Sequence, residues 1–145
     1  MRLIDALSGE HGVFYAMFDR LENELPSNVG EVRELAALLA AALISHARIE
    51  DDLLFDRMLG AGADPGLLGV MAEEHMKISD WLKRAQGTQN LEVAQMLLLD
   101  AIAMAREHFA REERLAFPMA ASLLDDAAIE ALGAAWAARR EVYLE

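Results

Sequence analysis

The chain has 145 residues, 54% hydrophobic and 26% charged, the composition of one folded domain rather than a disordered segment. Lys and Arg number 13 against 25 Asp and Glu, and the formal net charge of −12 argues against nucleic acid and anionic membrane surfaces as partners. No cysteine is present, which excludes disulfides, thiol nucleophiles and cysteine-ligated zinc or iron–sulfur sites.

The first residues, Met1-Arg2-Leu3-Ile4-Asp5, turn polar at once and offer no signal-peptide core. A first helix is predicted from Leu3 to Glu24, stopped by Leu25-Pro26-Ser27-Asn28, with Leu7, Phe14, Phe18, Leu21 and Leu25 at helical spacing. A second runs from about Glu31 to Leu59 and ends in Gly60-Ala61-Gly62. It contains the longest apolar run, Leu35 to Ile44, which is well short of the ~20 residues a membrane span needs. A third helix starts at Pro65, a favoured first-turn residue, and continues to Gln86 before Gly87. The fourth extends from Asn90 to about Leu124, with Pro118 expected to kink or end its last part. Asp125-Asp126 then open a short last helix expected to reach about Tyr143. Strand-like alternation is absent from the sequence. Short connections between long helices predict an all-α fold, an up-and-down antiparallel four-helix bundle over about 3–121 with an additional C-terminal helix. The expectation is a single, soluble, cytoplasmic domain.

The chain also repeats itself. Glu10-His11 precedes His46-x-x-x-Glu50-Asp51-Asp52-Leu53-Leu54-Phe55, and Glu74-His75 precedes His108-x-x-x-Glu112-Glu113-Arg114-Leu115-Ala116-Phe117. Each half reads as a hairpin with a His on its first helix and a His-x-x-x-Glu on its second. In every helix the His replaces a core residue. His11 lies in the stripe Ile4, Leu7, Phe14, Phe18, and His46 and Glu50 in Val32, Leu35, Leu39, Leu43, Leu53. His75 lies in Leu68, Met71, Ile78, Leu82, and His108 and Glu112 in Leu97, Met104, Leu115, Met119.

Residues four apart on a helix stand roughly 5–6 Å apart at Cβ, so His46/Glu50 and His108/Glu112 each aim two donors at one point. Four imidazoles and two carboxylates in an apolar interior cost several kcal/mol each unless compensated. A cationic centre compensates them. The set is too large for one tetrahedral zinc and suits two first-row metal ions bridged by carboxylates. A single His on an apolar face is more often a hydrogen-bonded core residue, but here all four histidines of the chain fall in the repeated pattern. Ferritin-like dimetal sites use Glu-x-x-His, a string that occurs nowhere in this sequence.

His11, His46-x-x-x-Glu50, His75 and His108-x-x-x-Glu112 resemble the hemerythrin-like, or HHE cation-binding, domain over Leu3 to about Ala121. Phe117-Pro118 fits that family's ending, whereas Phe55-Asp56 departs from it. The resemblance implies a non-haem di-iron site in a four-helix bundle, handling dioxygen, peroxide, nitric oxide or iron status. It implies two iron ions per chain, His11 and His46 on one, His75 and His108 on the other. Glu50 and Glu112 would bridge them together with a water, hydroxo or oxo group. Oxygen-carrying members have a fifth histidine one turn from the third-helix ligand; here Met71 and Ser79 occupy those positions beside His75. The gap would be filled by solvent, Asp80, Glu74 or Tyr15, or left open, which favours reactive chemistry over oxygen storage.

Several side roles stay open in the sequence. Tyr15 either lines the centre or packs, and Met71 and Met104 read as core filling more readily than as pocket walls. Asp51, Asp52, Glu113 and Arg114 read as solvated groups before they read as supports for ligand histidines. Ala134 to Ala138, with Trp136, either cross the bundle end or make a dimer contact. Apolar walls of Phe14, Phe18, Leu39, Leu43 and Leu115 are expected to admit small uncharged molecules and exclude larger ones. Two functions follow: a protein binding or reacting with dioxygen, peroxide or nitric oxide, with peroxide decomposition as an activity to test, or an iron or gas sensor acting through a partner protein. A metal-free cluster is expected to be weakest at acid pH, where the imidazoles would protonate and repel.

Overall fold

The computed structural model describes residues 1–143, and every regular element among them is helical. The α-helices are α1 (Leu3–Asn23), α2 (Val29–Ile49), α3 (Asp56–Gly60), α4 (Pro65–Gly87), α5 (Leu91–Arg111), α6 (Phe117–Leu123) and α7 (Asp126–Arg139). Four of them start on side-chain caps: Asn28, Asp64, Asn90 and Asp125 accept first-turn backbone N–H groups at 3.2, 3.0, 3.0 and 2.7 Å. The last helix ends at Arg139 rather than about Tyr143, and Glu141 follows with a left-handed φ of 54° that turns the chain out of the helix.

Two π-helical turns, Glu50–Phe55 and Glu112–Ala116, join α2 to α3 and α5 to α6 without a break. In the first, Asp56 donates its N–H to the Asp51 carbonyl; in the second, Phe117 donates to that of Glu112. The reach of five residues instead of four rotates every later side chain around the helix. Leu115, expected in the core stripe, is therefore 43% exposed, while Ala116 and Phe117 turn inward. In the first copy Leu54 and Phe55 are buried beside Leu53 for the same reason. Proline does not cause the turn, because Asp56 holds the place of Pro118 in the first copy. Pro118 itself stands just after the second π turn, and helix continues to Leu123.

Helix α4 packs against α2 and α5, α2 also meets α5, and α1 meets α5 and α7. The apolar side chains form two clusters. One holds Phe14, Phe18, Leu39, Ile78, Leu82, Ile102 and Phe109. The other holds Leu3, Leu7, Leu54, Met58, Met71, Phe117 and Ala120. Along each of α1 and α4 the histidine falls between residues of the two clusters, and along α2 and α5 the His–Glu pair does. A polar layer thus divides the core in two.

Candidate metal centre

The six residues singled out by the repeat converge in that layer. His11, His46, His108, Glu50 and Glu112 are at most 1% exposed, and the His75 side chain is 15% exposed. One oxygen of Glu50, Oε1, lies 3.0 Å from His46 Nε2 and 3.6 Å from His11 Nε2, and its Oε2 lies 3.6 Å from His75 Nε2. Glu112 mirrors this, with Oε1 2.9 Å from His108 Nε2 and Oε2 3.4 Å from His11 Nε2. Each carboxylate therefore spans both halves of the chain. The donor atoms fall into two groups of four, His11/His46/Glu50/Glu112 and Glu50/His75/His108/Glu112, each within 4.8 Å internally and both sharing the two glutamates.

The outer ring nitrogens are held by a second set of acids. Glu10 Oε2 accepts from His46 Nδ1 at 2.5 Å, Glu74 Oε2 from His108 Nδ1 at 2.8 Å, and Glu113 Oε1 from His11 Nδ1 at 2.8 Å. Asp51 Oδ1 lies 4.0 Å from His75 Nδ1. A proton kept on Nδ1 leaves the Nε2 lone pair free to face inward, the tautomer a metal ligand needs. Sequence order explains the pattern. The acid before each first-helix histidine (Glu10, Glu74) serves the second-helix histidine of its own hairpin, and the acid after each inner glutamate (Asp51, Glu113) serves the other hairpin. The expectation of a merely solvated group is thus corrected for Glu113, whereas Asp51 stays exposed to solvent beside His75 without a hydrogen bond to it. Asp52 is half-exposed and pairs with Arg139 at 2.7 Å.

The acids are themselves anchored. Trp136 Nε1 and Arg140 Nε each donate to Glu10 Oε1 at 2.8 Å, and Arg140 Nη2 donates to Oε2 at 3.1 Å. Arg140 also reaches Ser45 Oγ at 2.6 Å. Helix α7 therefore supports the centre through Glu10, which the sequence left open between bundle packing and a dimer contact. A β-carbon at Gly133 would collide with the Met1 carbonyl, so only glycine lets α7 seat so closely. In the other half Arg111 pairs with Glu74.

Burial works against the charges of Glu10, His11, His46 and Glu50, and the pairing overcomes it. Burial lowers the His46 imidazole, yet Glu50 and Glu10 raise it to about 10; His11 is likewise lowered by burial and raised by Glu112 and Glu50 to about 9. Burial raises Glu10, but donation from His46, Arg140 and Trp136 brings it down to about 2. Glu50 is held well below the usual carboxylate range by His46, His11 and His75 against its own desolvation. His11 and His46 present Nε2 atoms 3.1 Å apart. At His11 and His46 the facing carboxylates oppose the expected repulsion at acid pH, because these two imidazoles hold protons more firmly than free histidine.

The donor set fits a cation. Both oxygens of Glu50 and of Glu112, and the Nε2 atoms of His75 and His108, are buried with no hydrogen-bond partner among the described residues. Such atoms carry a desolvation cost that a coordinated cation removes.

The groups considered for a fifth-histidine position are otherwise engaged. Glu74 binds His108 and Arg111, Asp80 lies 3.7 Å from Arg84, and Tyr15 packs edge-on to Phe109 at 5.8 Å. Burial and the nearby Glu113 raise the Tyr15 hydroxyl. Met71 is fully buried in the second core cluster, and Met104 packs on the first. A cavity of about 410 Å³ opens between α2 and α4 and reaches His46, His75 and His108. Of the five expected wall residues only Leu43 lines it; Ile44, Met76, Ile78, Leu82 and Phe109 are among the other apolar residues on it, and Ser79 lies on it too.

No curated protein and no solved structure gives a significant match to the chain. The hemerythrin HHE cation-binding domain family matches residues 2–120, which contain all six inner residues and all four outer acids. The chain belongs to that family.

Proposed function

We propose that this member of the hemerythrin HHE cation-binding family is a cytoplasmic non-haem di-iron protein that binds or reacts with dioxygen, peroxide or nitric oxide. The long helices are read as the up-and-down antiparallel bundle that presents facing side chains to one interior centre. The observation that carries the reading is the pair of four-donor groups sharing Glu50 and Glu112. His11 and His46 would hold one iron, His75 and His108 the other, with both glutamates bridging. Imidazole nitrogen with carboxylate oxygen suits first-row ions, and the absence of cysteine removes the soft ligands of other iron sites.

Two adjacent irons would supply paired electron transfer to one small oxidant. The chain's own part is to hold the Nε2 atoms of His46, His108 and His11 inward through Glu10, Glu74 and Glu113, and to exclude bulk water with the apolar layers on either side. The more exposed His75 and the cavity beside it mark the side from which small molecules would arrive.

The test is metal analysis with an absorption spectrum of protein purified in air. The expected result is iron near two per chain and near-ultraviolet absorption that azide shifts. Iron-free protein that cannot be loaded would overturn the proposal. A second reading, an iron or gas sensor acting through a partner protein, draws support from α7, which touches Glu10 and so reports on one half of the centre. Peroxide turnover by the loaded protein favours the first reading; its absence from a full centre favours the second.

A further inference from the structure

We propose that the cavity between α2 and α4 binds a small amphipathic organic anion, its apolar body on Leu43, Ile78, Leu82 and Phe109 and its charged group at Arg48 and Lys83. Size is the first argument. A water molecule occupies about 30 Å³ of liquid, and a diatomic gas or peroxide is of that order, whereas sites for organic ligands run about 300–1,000 Å³. At about 410 Å³ the cavity is in the organic range.

Charge is the second argument. Of the 13 Lys and Arg, seven are paired with carboxylates among the described residues: Arg2, Arg20, Arg84, Arg106, Arg111, Arg139 and Arg140. Arg48 and Lys83 are exposed on opposite helices of one cavity, and neither has a carboxylate within 4.0 Å among the described residues. Two acids share the lining, each with a cationic or imidazole neighbour of its own: Asp80 lies 3.7 Å from Arg84 and Asp51 lies 4.0 Å from His75. The third argument is the rim. Ile44 and Met76, 38% and 72% exposed, leave an apolar lip around two free cations. A neutral gas needs neither cations nor lip; a medium-chain carboxylate uses both.

The proposal rests on the metal reading for what lies at the cavity floor, where His46, His75 and His108 stand, but the binding itself needs no metal. Octanoate, octanol and octylamine share one body and differ in head-group charge. Each is titrated calorimetrically into metal-free and iron-loaded full-length protein at about 0.15 M salt, where the screening length is about 8 Å. Octanoate is expected to bind metal-free protein about fivefold or more tighter than octanol, the upper end for exposed ion pairs, and octylamine more weakly still. The double variant Arg48→Glu, Lys83→Glu should lose that advantage, leave octanol unchanged and load iron normally. Ala47→Phe, which narrows the cavity, should weaken octanoate and octanol together while the helical circular dichroism is retained.

Equal binding of octanol or octylamine, or unchanged octanoate affinity in the double variant, overturns the proposal. Iron loading without octanoate binding sinks it while the metal reading stands. Octanoate binding by a chain that never loads iron upholds it while the metal reading falls.

Discussion

Glu50 and Glu112 are the two residues that belong to both donor groups, and their replacement separates shared from single ligation. Glu50→Ala or Glu112→Ala is expected to cut iron from about two per chain to well below one, whereas His46→Ala or His108→Ala leaves a larger remainder. Elemental analysis of variants with intact helicity checks this; full iron in either glutamate variant contradicts sharing. Protons provide a second measure. His11 and His46 hold theirs up to about 9 and 10 in the folded chain against about 6.5 when unfolded, so their stabilisation is complete below about 6.5 and is lost as pH rises through 9 to 10. Glu10, held at about 2, contributes above about 4.5 and fails only as pH falls toward 2. Metal-free protein should therefore melt lower at pH 10 than at pH 7, and iron loading at pH 7 should release at least one proton, seen with an indicator dye. Ser79 and Met71 flank His75 but face different surroundings. Ser79→His places an imidazole in the cavity, where a fifth ligand would lengthen oxygen-adduct lifetime, while Met71→His buries an unpaired imidazole in apolar packing and lowers the melting temperature by several degrees.

At the scale of elements, the six inner residues were readable because helical spacing and an internal repeat both point at them. The π turns were not readable. Nothing in Glu50–Phe55 or Glu112–Ala116 departs from good helix composition, yet each begins on an inner glutamate and re-aims the residues behind it. A stripe drawn at constant helical period therefore misplaces Leu115. The outer acids were visible only as neighbours of the histidines, because which histidine each one serves depends on how hairpins face one another. The role of α7 was hidden for the same reason: Trp136 and Arg140 meet Glu10 across 126 and 130 residues of chain. Arg140→Ala should loosen Glu10 and weaken the His11/His46 half selectively, read as a loss of the second iron equivalent in a metal titration. Gly133→Ala, which cannot seat α7 on Met1, should reproduce that loss from a distance. Equal weakening of both equivalents would mean α7 supports the bundle generally.

For the whole molecule, the polar layer sets the link between ligand and stability. Six ionisable groups separate two apolar clusters, so metal binding energy becomes folding energy. Removing metal should lower the melting temperature by calorimetry, while far-ultraviolet circular dichroism remains strongly helical, because each cluster still packs by itself. An apo form as heat-stable as the loaded one would show that the layer is not a metal site.

The crosswise placement of Asp51 beside His75 and of Glu113 on His11 has a consequence for ancestry and assembly. Neither hairpin contains a finished centre: each lends the other an acid as well as a bridging glutamate. A single hairpin would reach the same chemistry only by pairing with its twin, so the present chain reads as a fused pair that has since drifted apart, one half gaining α7 and the other an open flank at His75. Separate peptides cut within the Gly60–Ala63 connection would each be mute alone and regain the centre only as partners.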